Sequence, residues 1–384
     1  LEAVHPEQKK FGTFLELLSQ NDLLDTFLKD IGPPEQQREI LKKYLFESAT
    51  TLSPNEALVL DDMLHTLKSE SVRSFVLETL RGLLDATTST TVGSHTIRTI
   101  STNKVVSILL AEYFKGRSDI PAWAKPAVET YRQHFSPIEG LQTSQLFRME
   151  GSTQVNIQQH FFYDDRGSDK PEPTWDGHHS FRSFIQSFGG TVVWDKTGTI
   201  QQVTGTKNVE IKDEGDYVTI RQRDARTNRT ITIFANKPDR KDEVVARVQA
   251  DLMKQYAPQI VVHRGHSYHA PKTVGMLQSN VVLVNLGSCG GAKNISEVLM
   301  KAPGAQVMAT RGVGTMLVND VEIQIQNKAM LRSGALDWKS LRQELDAEFR
   351  KRGGLSQERW GSYLLPDQNR VAHLVVALER AVSE

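Results

Sequence analysis

The chain has one cysteine, Cys289, among its 384 residues. An intrachain disulfide is therefore impossible, and the fold must rest on its hydrophobic core. Charge of one sign is also missing: 46 Lys and Arg balance 46 Asp and Glu. No global field then favours nucleic acid or an anionic membrane. No apolar run approaches the roughly 18 residues of a membrane span, and no pattern calls for a cofactor. Met is absent from the first position, which is Leu1. The start is thus read as processed, trimmed or engineered; a removed signal peptide fits, and an extracytoplasmic location is the expectation.

What is present reads as an ordinary globular protein, since 39% apolar and 24% charged residues suffice to build and solvate a core. The length suggests two domains, and at most three. Residues 1–145 read as a helical N-terminal domain. Val72, Phe75, Val76, Leu80 and Leu83 follow the spacing of one buried helix face. Ser53-Pro54-Asn55-Glu56 has the form of a capping box. Ser101 to Phe114 reads as a second buried helix. Breakers fall at Gly32-Pro33-Pro34, in the Thr/Ser run from Thr87 to Thr91, and at Ser136-Pro137. No residue set in this region looks catalytic. It is expected to bind a partner, regulate access or support the rest.

Residues 146–384 read as an α/β domain. Strands are expected at Val155 to Tyr163 and Thr191 to Trp194, with a helix from Trp175 to Phe188 between them. A β-rich insertion follows at about 195–236, with Tyr217 to Arg221 and Thr230 to Phe234 as a hairpin. Asp242 to Tyr256 is an amphipathic helix. Three short apolar runs, Ile260 to Val262, Val281 to Val284 and Gln306 to Ala309, suit strands buried on both faces of a parallel sheet. The stretch Ile295 to Met300 reads as a helix between the last two. Strand alternating with helix implies an open, mostly parallel sheet with flanking helices. Closing helices are expected at Trp338 to Arg352 and Arg370 to Val382.

Reactive groups in such sheets collect at the carboxyl ends of the strands. One apolar run ends in His263-Arg264-Gly265-His266-Ser267, the next in Asn285-Leu286-Gly287-Ser288-Cys289-Gly290-Gly291. Neighbouring strands would bring an imidazole and a thiol to one sheet edge. A thiol needs a base or a positive potential to become thiolate near neutral pH, and the imidazole supplies it. Small residues around Cys289 would let a substrate backbone approach and would free N–H groups for an oxyanion.

This arrangement resembles the clan CD cysteine peptidases: caspases, legumain, clostripain, separase and gingipains. Their pattern is an apolar strand ending in His-Gly, then a second ending in a small residue and Cys. The Gly265-His266-Ser267 turn is most similar to the gingipain branch, and Ser288-Cys289 matches the second element. The Arg166-Gly167-Ser168-Asp169 loop is weakly similar to the first loop of caspases. The likeness covers the layout of residues 150–320 and departs in two places. Ser267 stands where a glycine normally follows the histidine, and the span from His266 to Cys289 is short. The resemblance implies a caspase-like fold and peptide-bond hydrolysis through a thioester acyl-enzyme. Cys289 would attack and His266 would carry the proton, as a dyad without metal or cofactor. Backbone N–H groups of Cys289 and of Ser267 or Gly265 would hold the oxyanion. Asp164, Asp165 and Arg166 would help build the primary specificity pocket, with a basic residue at the cleaved position preferred.

Other readings remain beside this one. His263 is the alternative base, though it sits where a side chain could point into the sheet. His263, His266 and His269 lie close in sequence, but no nearby carboxylate completes a metal site. His178-His179 reads as a solvated pair. Gly287-Ser288-Cys289-Gly290-Gly291 also fits the nucleophile elbow of an α/β-hydrolase acting on small esters or lactones. That fold needs a later histidine, and only His373 is available, in an apolar helical run. A third reading is a catalytically silent caspase-fold binding protein.

Overall fold

A computed structural model of the chain describes residues 14, 18, 23–47, 57, 60, 61, 63–65, 67–84, 89–92, 98–147, 153–162, 176–205 and 209–384. The expected capping box at 53–56 and the loop carrying Asp164, Asp165 and Arg166 lie outside the described residues. The chain divides into two compact units, one of Leu1–Pro137 with Arg370–Glu384, the other of Ile138–Asn369.

The first unit is mostly helical. Its centre is the helix Thr102–Tyr113, buried nearly all round, against which Glu70–Leu83, Lys125–Tyr131 and Arg370–Ser383 pack. A helix apolar on all sides has nowhere to go but the middle of a core. On Glu70–Leu83 the buried positions are Val72, Val76, Thr79 and Leu80, one stripe at helical spacing. Two points differ from the sequence reading. The run expected to break helices forms strand β1 (Ser89–Val92), antiparallel to β2 (Arg98–Ser101), because consecutive β-branched threonines favour extended backbone. The last helix, read as part of the second domain, joins the first unit: Leu374, Ala377, Leu378 and Ala381 fall in its core.

The second unit is built on an eight-stranded sheet. In chain order its strands are β3 (Gln154–Phe161), β6 (Glu210–Asp213), β7 (Tyr217–Asp224), β8 (Arg229–Asn236), β9 (Ile260–Arg264), β10 (Leu283–Leu286), β11 (Gln306–Thr310) and β12 (Tyr363–Leu364). Across the sheet the order is β12-β11-β10-β9-β3-β8-β7-β6. The five middle strands, β11 to β8, run parallel, and the outer strands are antiparallel to their neighbours. The fold is therefore α/β with a large, mostly parallel central sheet and flanking helices.

The region read as a β-rich insertion turns out to belong to this sheet. Strand β8 pairs in parallel with β3, and β7 and β6 extend the sheet from it. The reason is burial: the last six residues of β8 are all buried, as a strand covered on both faces must be. The expected strand Thr191–Trp194 is present as β4, which among the described residues pairs only with β5 (Ile200–Thr204), in a hairpin separate from the large sheet. Its alternating exposure leaves one side in solvent.

Helices cover both faces. Asp242–Tyr256, Ala270–Met276 and Ile295–Lys301 pack in succession on one face; Asp176–Ser187, Met316–Arg332 and Trp338–Arg352 pack together on the other. The connection from β3 to β8 thus leaves across the second face, while that following β9 crosses the first. Where neighbouring strands send their connections to opposite faces, a crevice opens at their carboxyl ends. Here that place lies between β3 and β9.

Candidate active site at the carboxyl ends of the strands

Strands β9 and β10 pair in parallel with Leu286 opposite His263. His266 and Cys289 each lie the same number of residues beyond that rung, so the two loops leave the sheet edge at one level. Cys289 is exposed, in the turn between β10 and the 3-10 segment Gly291–Asn294. Gly290 has φ of 57°, a left-handed conformation that would strain any residue with a Cβ. The other glycines serve internal packing rather than an approaching substrate. A Cβ at Gly287 would strike the Asn319 side chain, and one at Gly291 the Leu286 carbonyl. Asn319 Nδ2 donates to the Gly287 carbonyl at 3.2 Å, tying the cysteine loop to the helix Met316–Arg332. The Cys289 N–H, a proposed oxyanion donor, has no backbone partner among the described residues.

His266 is half-buried. Its Nε2 stands 3.2 Å from Asp176 Oδ2, at the start of the helix Asp176–Ser187. Its ring stacks on Tyr268, with centroids 5.3 Å apart. Ser267 opens a 3-10 turn through His269. Gly265 lies against Phe162, where a Cβ would come within 3.1 Å of the ring. Carboxylate, imidazole and thiol are thus presented by the three segments following β3, β9 and β10. Asp176 was not singled out in the sequence, because an aspartate opening a helix reads first as a dipole partner. Only the fold reveals that this helix start faces the β9 loop.

His263 occupies a different setting. It is fully buried, with Nδ1 2.9 Å from Thr273 Oγ1 and Nε2 3.2 Å from the His266 carbonyl. Burial pushes its pKa down to about 4. His160, its rung partner on β3, also reaches Thr273 Oγ1 at 3.2 Å, and burial pushes it down to about 3. One hydroxyl can donate to one ring and accept from the other. His263 therefore holds the peptide that carries His266, with both ring nitrogens engaged.

The next residue of β9 points to the opposite face. Arg264 is buried and pairs with Asp320 at 2.6 Å, beneath the rings of Phe161 and Phe184. Ser183 donates to the same Asp320 carboxylate. Asn285 on β10 donates to Glu322 at 2.5 Å, and burial pushes the Glu322 carboxyl up to about 7.

Other residues singled out in the sequence have varied settings. His178, read as solvated, is 2% exposed and bonds the Gly198 carbonyl through Nε2 at 2.8 Å, because the β4–β5 hairpin covers it. His373 belongs to the first unit, where its Nδ1 lies 3.3 Å from Lys115 Nζ. Among the described residues no three His, Cys, Asp or Glu side chains gather as a metal site requires, and no helix is long and apolar enough to cross a membrane. Asp164, Asp165 and Arg166 have no described position. No protein-family model, no curated protein and no solved structure matches the chain.

Proposed function

We propose that the second unit is a cysteine endopeptidase of the caspase-like kind, with Cys289 as nucleophile and His266 as its acid–base partner. The observation that carries this is the shared rung: one imidazole and the chain's only thiol leave adjacent parallel strands at the same level, beside the sheet's crevice. Asp176 completes the set by pairing with His266 through Nε2. In this reading the Cys289 sulfur attacks the peptide carbonyl. His266 passes a proton to the leaving amine, and water then hydrolyses the thioester. The Cys289 N–H, with that of Ser267 or Gly265, receives the oxyanion. The mainly helical first unit is assigned partner binding or control of access.

Burial also argues against two rivals. His263 could act as a base only after leaving Thr273 and the His266 carbonyl. The later histidine that an α/β-hydrolase needs, His373, is engaged with Lys115 in the other unit. The test is covalent labelling. Wild-type protein should react with a peptidyl acyloxymethyl ketone far faster than a free thiol does, and Cys289→Ala should abolish labelling and hydrolysis without changing the fold. Equal reactivity of the wild type and a free thiol would remove the reading's main support.

A further inference from the structure

Among the described residues, seven large apolar side chains are exposed, and three of them flank the nucleophile. Tyr268 is 63% exposed in the loop after β9; Val313 and Leu317, each 43% exposed, follow β11. The Cys289 loop emerges between these two, since β10 lies between β9 and β11. The β11 side is close. Gly312 accepts from the Gly290 N–H at 2.9 Å, and a Cβ on Gly314 would run into the Gly287 carbonyl. Val313 is therefore held beside the cysteine turn with its side chain in solvent. Its backbone N–H and carbonyl, and the Gly314 N–H, have no partner among the described residues. Exposed apolar groups concentrated at one place mark a surface that is covered in use. Free backbone groups beside them suit a chain lying extended.

Resting on the peptidase reading, we infer that the site takes an extended peptide with bulky apolar residues close to the scissile bond. One such side chain seats on Tyr268 and the other against Val313 and Leu317. These three residues set a specificity separate from the primary pocket. The occupant is a peptide rather than a small ester: the apolar groups stand on both sides of the thiol, and a small ester has nothing to place on the second side. Two basic residues, Lys293 in the segment after Cys289 and Arg311 just before Val313, are the competing determinants; they would select acidic neighbours instead.

Binding to Cys289→Ala protein separates the two determinants without relying on turnover. Fluorescent peptides of one length carry Leu or Phe, Ser, or Asp at the residues flanking the bond. The apolar peptides should bind about tenfold more tightly than the Ser peptides. Val313→Asp with Leu317→Asp should erase that advantage, and Val313→Leu should keep it. Both residues are exposed, so the substitutions leave the core intact; unchanged thermal unfolding checks this, and Val313→Ser serves where it does not hold. Equal binding of all peptides, or preference for Asp, overturns the inference. Hydrolysis without apolar preference also overturns it and spares the peptidase reading. Apolar-selective binding by a wild type that cleaves nothing does the reverse.

Discussion

Consecutive residues of β9, His263 and Arg264, turn to opposite faces of the sheet, and the faces settle buried polarity by different chemistry. On the His263 side the groups are imidazoles, whose ordinary pKa lies near neutrality, so they shed the proton at little cost and share one threonine hydroxyl through Nδ1. A guanidinium has no such exit, because it does not deprotonate in proteins. Arg264 is therefore buried only with Asp320 against it. Glu322 takes the third course: with an amide rather than a cation as its hydrogen-bond partner, burial drives it towards the protonated form. Two residues beyond Arg264, outside the sheet, His266 keeps a carboxylate and partial exposure. The lesson is that ionisable residues beside a candidate site need not all serve it; the depth at which each is held decides.

The sharpest way to break the comparison is to exchange the roles of the two histidines. His266→Ala should lower turnover roughly a thousandfold, while His263→Ala should chiefly lower stability, read as the urea midpoint. The opposite ranking would mean that the buried imidazole is the working one. Next in size, Arg264→Ala leaves Asp320 buried without its cation. It should cost about 3–5 kcal/mol in chemical denaturation, and the doubly neutral pair Arg264→Met with Asp320→Asn should recover much of that loss. Should the single variant cost under about 1 kcal/mol, the pair would be behaving as a surface bridge.

A smaller effect is expected from Asp176→Asn. Turnover should fall about ten- to a hundredfold with KM little changed, because an amide orients the imidazole less firmly and offers no charge to its protonated form. Asp176→Glu should restore part of the rate. A change in KM alone would place Asp176 in substrate binding instead.

The last effect sets the two faces against each other through pH. His160 and His263 stay neutral in the folded chain down to about 3 and 4. Acidification from pH 6.5 towards 4 therefore protonates the unfolded chain first and destabilises the fold. Glu322 has the opposite sign. Folded, it holds a proton up to about 7, whereas unfolded it releases it above about 4.3, so acidification through that window stabilises the fold. The contributions oppose each other between pH 4.5 and 6.5. Glu322→Gln should make the urea midpoint fall more steeply from pH 7 to 5 than it does in the wild type. An unchanged slope would show that Glu322 is not held protonated.

Much of the second unit is legible in the sequence because its signals are local. The helices Asp242–Tyr256 and Trp338–Arg352 and the strands β9, β10 and β11 carry their own periodicity or apolar runs. What escapes is set by partners distant in the chain. Met316–Arg332 buries Asn319, Asp320, Glu322, Gln326 and Asn327, so no apolar stripe announces it. Strand β8 alternates Thr with Ile like a surface hairpin, yet lies beside β3. At the site, Cys289 and His266 stand out because each follows an apolar run. Asp176 does not, because its link to His266 exists only once β3 and β9 are neighbours.

The helix Arg370–Ser383 also bears on how the protein is made. Its Leu374, Ala377 and Leu378 fill a core otherwise drawn from the first 137 residues. During synthesis that core stands incomplete while residues 138–369 are added. At about 5–20 residues per second the wait is roughly ten to fifty seconds. The earlier-made part of this unit thus waits for its last helix before its core can close, and in that interval its apolar surface is exposed to whatever chaperones attend it.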